Sequence, residues 1–106
     1  MSSTWIGAQA RISWVELDLE APETEPFRND PRGLRHQLES LLRDTRSYLD
    51  ALYFDGREDS AYALVAGPDN DAAAATVAGR LGAKGGYGPL LTVDEAAAAV
   101  EGGGTP

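Results

Sequence analysis

The spacing of apolar residues changes along the first half of the chain, and this change limits the folds that the chain can adopt. Residues 10–19 carry hydrophobic side chains in a two-residue rhythm, which predicts a β-strand with Trp14 and Glu16 on one face. Residues 34–45 carry leucines at intervals of three or four, which predicts an amphipathic α-helix that starts at Asp30 and Pro31. A strand and a helix in succession indicate a mixed α and β domain.

The second half of the chain also predicts both strands and helices. Two aromatic and aliphatic runs, residues 48–55 and 61–66, predict a hairpin, and a helix that Asp69 or Asn70 caps follows it. A last strand is predicted at about residues 87–93. Thr92 and Glu95 have the spacing of a capping box, so a short helix is expected to close the domain.

One long connection lies within the predicted domain, and two terminal segments set its limits. Three prolines among charged residues predict an extended connection over residues 20–32, which is long for so small a domain. Residues 1–8 are predicted to be a flexible extension and residues 102–106 a disordered tail. The region between them, residues 9–101, is expected to fold as one domain.

Composition narrows the classes of partner. The chain has 106 residues, a net charge of −8 and no cysteine, and no apolar run approaches the length of a membrane helix. The negative charge argues against nucleic acids and anionic membranes as partners. The absence of cysteine excludes disulfides and thiolate metal sites, and it favours a cytoplasmic location. We expect neither a metal nor a cofactor.

The predicted element order is β-α-β-β-α-β with a short C-terminal helix. This order is typical of a ferredoxin-like α+β fold, in which both helices pack on one face of an antiparallel sheet. The other face offers apolar side chains in every strand, and monomers rarely expose large apolar surfaces. We therefore expect a homodimer that meets through the open sheet faces as a dimeric α/β barrel, with a small-molecule cavity between the sheets.

A resemblance supports this expectation. The hairpin, the turn and helix GPDNDAAAATVAGRLGAKGG, and the closing PLLTVDEAAAAV are similar to the GYD-type families of the dimeric α/β barrel superfamily. The resemblance covers about residues 50–99. Gly56 and Tyr62 are present, but other residues separate them and no Gly-Tyr-Asp tripeptide is intact. No role tied to that tripeptide is transferred.

Two residues are candidates for proton transfer. Glu16 lies beside Trp14 on the predicted strand, where enclosure in a barrel would disfavour the charged carboxylate. His36 is the side chain whose ordinary pKa is nearest neutrality, although its helical position faces solvent. The alternative interpretation is that both side chains are simply solvated.

Aromatic side chains are the candidates for ligand binding, with a role in the core or the interface as the alternative. They are Trp14, Tyr48, Phe54, Tyr62 and Tyr87. Strand alternation leaves two choices for the open face of the hairpin, namely Tyr48, Leu52 and Phe54, or else Leu49, Ala51 and Tyr53. The last strand is expected to contribute Tyr87 and Leu91.

The sequence leaves three functions open, of which the first is favoured. The first is an accessory or binding protein that holds an aromatic or polyketide-like molecule between its sheets. The second is a cofactor-independent monooxygenase or cyclase-like enzyme on the same scaffold. The third is a structural or partner-binding subunit. The glycines of residues 82–88 lack the spacing of a phosphate-binding loop, so they do not favour a nucleotide site.

Overall fold

The structure, a computed structural model, describes residues 10–57 and 59–103. The strands are β1 (Ile12–Asp18), β2 (Tyr48–Asp55), β3 (Ser60–Ala66) and β4 (Ala83–Leu90), and the α-helices are α1 (Pro31–Leu42), α2 (Asn70–Leu81) and α3 (Val93–Gly103). The extension predicted at residues 1–8 lies outside the described residues, as do residues 104–106 of the predicted tail. Residues 102 and 103 belong to α3.

The four strands form one antiparallel sheet in the order β2-β3-β1-β4. The hairpin of β2 and β3 lies on one side of β1, and β4 lies on the other side, so β2 and β4 are the edge strands. The predicted α+β class with an antiparallel sheet is confirmed. The arrangement is compatible with the ferredoxin-like fold expected from the sequence.

The hydrophobic core lies between α1, α2 and one face of the sheet, which we call the helix-covered face. In β1 and β3 the buried residues alternate with partly exposed ones, as expected when only one face of a sheet is covered. The fully buried core side chains include Val15, Leu17, Leu34, Leu38, Val65 and Val77. Neither α1 nor α2 packs on the opposite face, which we call the open face.

A β-bulge in β2 changes which of its residues lie on each face. Leu49 pairs with Val65 and Ala51 pairs with Leu64, so that Asp50 is an extra residue between them. Tyr48, Ala51 and Tyr53 therefore lie on the open face, and Leu49, Leu52 and Phe54 lie on the helix-covered face. Both predicted alternations of β2 were wrong, because each assumed an unbroken two-residue period.

The connection between β1 and α1 is not extended as predicted. Residues Pro22–Phe27 form a 3-10 helix, which Pro22 can begin because its fixed φ suits the first helical position. The fully buried Thr24 hydroxyl donates to the carbonyl oxygen of Asp18, 2.5 Å away. Arg28 Nε donates to the carbonyl oxygen of Leu19, 3.1 Å away. These bonds tie the connection to the end of β1.

The last strand begins earlier than predicted. It spans Ala83–Leu90 and pairs with β1, whereas the sequence predicted about residues 87–93. Leu90, rather than Leu91, faces the open side. Pairing with β1 outweighs the low β-propensity of glycine here. The predicted capping box is confirmed, since Thr92 N–H donates to Glu95 Oε1 and Glu95 N–H donates to Thr92 Oγ1.

Asn70 joins the start of α2 to β1. Its Oδ1 accepts from the Ser13 hydroxyl, 2.5 Å away, and its Nδ2 donates to the carbonyl oxygens of Ala10 and Gly67, at 3.0 and 2.8 Å. Ser13 and Asn70 are both buried. Because buried polar groups are costly without partners, this network fixes where α2 begins on the sheet.

The loops before β2 and before α2 are in direct contact at one end of the sheet. Arg46 donates to the Asp69 carboxylate through Nε and Nη2, at 2.9 and 3.0 Å. Asp69 occupies the N-cap position of α2, but its side chain makes no capping bond. The N-cap position is one of the two predicted, but neither predicted side chain makes the capping bond, because Arg46 binds the Asp69 carboxylate and the Asn70 amide bonds to Ser13, Ala10 and Gly67.

The Arg46–Asp69 pair predicts an acid-dependent loss of stability. The hydrogen bonds from Arg46 lower the pKa of the Asp69 carboxyl group. The pair therefore stabilises the fold at pH values above the ordinary pKa of Asp, and this stabilisation is lost as the pH falls through the lowered pKa. We expect Asp69→Asn to lower the urea midpoint near neutral pH and to have a smaller effect at acidic pH, below the ordinary pKa of Asp. Asp44→Asn, an exposed carboxylate outside this pair, is the control. An equal effect of Asp69→Asn at both pH values would contradict the assignment.

Candidate functional site

The open face is apolar at the end of the sheet where β1 and β4 pair through Ile12 and Leu90. Cross-strand pairing brings the side chains of four strands together there, because directly paired residues share a face. They are Ile12 and Trp14 of β1, Tyr48 and Ala51 of β2, Leu64 and Ala66 of β3, and Leu90 of β4. Tyr48 is 60% exposed and Leu90 is 41% exposed. This end of the face is a contiguous apolar surface.

Two glycines of β4 shape the open face beside Trp14 and Glu16. Gly88 pairs with Trp14, and a Cβ at Gly88 would lie 3.1 Å from Trp14 Nε1, so the indole ring leans over this glycine. Gly86 pairs with Glu16, and a Cβ there would meet none of the described atoms within 4 Å. Space is therefore available over β4 next to the Glu16 side chain.

Glu16 and Tyr62 form a hydrogen-bonded pair in the middle of the open face. They are direct neighbours across β1 and β3, and the Tyr62 hydroxyl donates to Glu16 Oε2 over 3.3 Å. Both side chains are partly buried. The carboxylate keeps further lone pairs for a ligand, and Trp14 is two residues away on the same face. The site can therefore bind an aromatic ring and accept a hydrogen bond from it.

The two candidates for proton transfer are not in one site. Glu16 lies on the open face, whereas His36 is exposed on α1, which covers the opposite face. The connection at residues 20–32 does not bury His36. A role for His36 stays a prediction, and it would have to be independent of Glu16.

The structure brings together three of the five aromatic candidates. Trp14, Tyr48 and Tyr62 share the open face. Phe54 pairs with the buried Ala61, and Tyr87 pairs with the buried Val15, so both lie on the helix-covered face. Their expected position on the open face was wrong, because the bulge at Asp50 moves Phe54 to the other face and the pairing of β4 with β1 places Tyr87 opposite Val15.

Sequence reasoning missed Leu64 and left Tyr53 undecided. Leu64 is the direct neighbour of both Trp14 and Ala51, and Tyr53 is the neighbour of Tyr62 and is 61% exposed. One signal was available for Leu64, because the alternate β3 residues Ala61 and Ala63 are small enough to fit beneath an alanine-rich helix. No local pattern showed the bulge that places Tyr53.

The described residues contain no group of three or more acidic or histidine side chains that could hold a metal ion. Within the same residues, no helix combines the length and the apolar character that a membrane span needs.

Comparisons with protein-family models, curated proteins and solved structures give no match to this chain. The resemblance to GYD-type families therefore stays a prediction.

Proposed function

We propose that this chain is a cytoplasmic homodimer that binds a small aromatic or polyketide-like molecule between its two open sheet faces. Each subunit has a ferredoxin-like fold, and the pair forms a dimeric α/β barrel. The observation that carries the proposal is the composition of the open face. It combines a contiguous apolar surface with one partly buried, hydrogen-bonded polar pair, Glu16 and Tyr62.

Apolar side chains that the single chain leaves partly or fully exposed favour association through this face. Trp14, Leu64 and Tyr48 lie on one surface that neither α1 nor α2 covers. Burial of this surface against a second copy removes it from water, and a twofold axis lets one patch serve both subunits. The proposed interface therefore needs no further element of the chain.

The side chains of the open face differ in size, and this difference favours a cavity between the two sheets. Trp14 and Tyr53 are large, whereas Ala51 and Gly86 are small, so two such faces do not fill the space between the sheets evenly. The space over Gly86 lies beside the Glu16 carboxylate. A mainly apolar cavity with a few convergent polar groups is the usual form of a small-molecule site.

The role of Glu16 in ligand recognition can be tested with two naphthalene probes. 2-Naphthol can donate a hydrogen bond to the carboxylate, whereas 2-methoxynaphthalene cannot. We expect the protein to prefer 2-naphthol by about tenfold, because a carboxylate left without its donor is costly when enclosed. Isothermal titration calorimetry measures both affinities.

Glu16→Ala is expected to abolish this preference, and Asp18→Ala is the control because Asp18 lies on the same face of the same strand, two residues away. Equal affinities for both probes in the unaltered protein would contradict the role of Glu16. Binding of neither probe would overturn the ligand-binding function and would favour a structural or partner-binding subunit.

A second candidate function is cofactor-independent catalysis on a monooxygenase- or cyclase-like scaffold. The Glu16–Tyr62 hydrogen bond favours it, because a carboxylate oriented by a tyrosine beside an aromatic surface is suited to remove a proton from a phenol or an enolisable carbon. This function differs from binding in one observable. Glu16 would accelerate deuterium uptake at the methyl group of 2-acetonaphthone in D2O, and Glu16→Gln would not.

A further inference from the structure

A groove of about 320 Å³ lies between α1 and the outer edge of β2. Arg32 and Arg35 of α1 form one wall. Leu49, Leu52 and Phe54 of β2 form the other. The side chains of both walls lie on the helix-covered side of the sheet, and Pro31, Asp50 and Ala51 complete the lining. Ala51 belongs to the open face, so the groove follows the β2 edge of the sheet.

The bulge in β2 creates the apolar wall. Because Asp50 is the extra residue, the three apolar residues Leu49, Leu52 and Phe54 all face α1. Leu49 and Leu52 pack against the core, whereas Phe54, nearer the end of the strand, is 42% exposed. The apolar wall of the groove is therefore held in place by the core, and it ends in an accessible aromatic ring.

The helical wall is positively charged in a chain whose net charge is −8. Arg32 and Arg35 are three residues apart and so project from the same side of α1. Arg35 lies 3.8 Å from Glu39, and no described carboxylate lies within 4 Å of the Arg32 guanidinium. Asp50 is the one acidic residue of the lining.

We infer that this groove is a second binding site, for a small amphipathic carboxylate. The carboxylate lies between Arg32 and Arg35, which present planar guanidinium groups suited to it, and the apolar body lies on Leu52 and Phe54. The volume is at the lower end of the range for small-molecule sites, so it fits a single ring with a short chain. This inference is independent of the function proposed for the open face.

The test uses 3-phenylpropionate and its neutral analogue 3-phenylpropanamide, titrated into the ¹⁵N-labelled protein and followed by NMR. We expect the carboxylate to bind about tenfold more tightly than the amide, because charge-assisted bonds to arginine are lost in the amide. The largest shifts are expected in the first half of α1 and in β2. The double variant Arg32→Gln, Arg35→Gln should bind both probes equally weakly.

Two further variants separate charge from packing. Arg43→Gln changes an exposed arginine just after α1, outside the groove, and should leave both affinities unchanged. Phe54→Ala should weaken both probes alike. Equal affinity for carboxylate and amide, an equal loss in Arg43→Gln, or shifts confined to Trp14 and its neighbours on the open face would each overturn the inference.

Discussion

Leu64→Glu is expected to raise the dissociation constant of the proposed homodimer at least about 100-fold, because it places an unpaired carboxylate in the interface. Leu64 lies between Trp14 and Ala51 at the centre of the apolar surface. Because a twofold axis relates the subunits, each dimer contains two substituted residues in the interface, and both weaken the association. Sedimentation equilibrium over a range of concentrations measures the change.

The fold of each subunit should survive this substitution. Leu64 is on the open face and is partly exposed in the single chain, so the new carboxylate can reach water when the subunits separate. Thr76→Glu adds the same charge to the exposed side of α2 and should leave the dissociation constant unchanged. An unaltered dissociation constant for Leu64→Glu would show that the subunits do not meet through this face.

Gly67→Ala is expected to destabilise the fold by about 3 kcal/mol and to lower the melting temperature by roughly 15 °C. Gly67 has a φ of +120°, a conformation that residues with side chains rarely adopt. A Cβ there would lie 2.5 Å from the carbonyl oxygen of Arg46 and 2.9 Å from Ser47 Cα. Both contacts are with backbone, so neither can be relieved by rotating a side chain.

The matched control is Gly79→Ala. Gly79 lies on the exposed side of α2, and a Cβ there would meet none of the described atoms within 4 Å. This substitution should stabilise the fold by about 0.5–1 kcal/mol, because alanine is the better helix former. Thermal unfolding followed by circular dichroism measures both variants. Equal stability changes at the two glycines would contradict the close backbone contact at Gly67.

The features that the sequence predicted correctly depend on neighbouring residues. Asp30 accepts from Gly33 N–H at the start of α1, and Thr92 and Glu95 form their capping box, because each motif is complete within four residues. The placement of Trp14 and Glu16 on one face likewise follows from strand alternation alone.

The features that it did not predict depend on distant contacts. The bulge at Asp50 is defined by the pairing of β2 with β3, and the early start of β4 by its pairing with β1. Asp69 occupies the N-cap position of α2, but its carboxylate binds Arg46, which is 23 residues earlier in the chain, so no local pattern indicates this contact. The Glu16–Tyr62 pair similarly spans 46 residues and could not be found from spacing.

Association of two copies of this chain underlies both the proposed interface and the proposed cavity. The molar mass of the unaltered protein, measured by light scattering at micromolar concentration, tests it most directly. The proposed homodimer predicts twice the chain mass of 11.2 kDa. A mass of 11.2 kDa at that concentration would contradict the dimer and, with it, the cavity between the sheets.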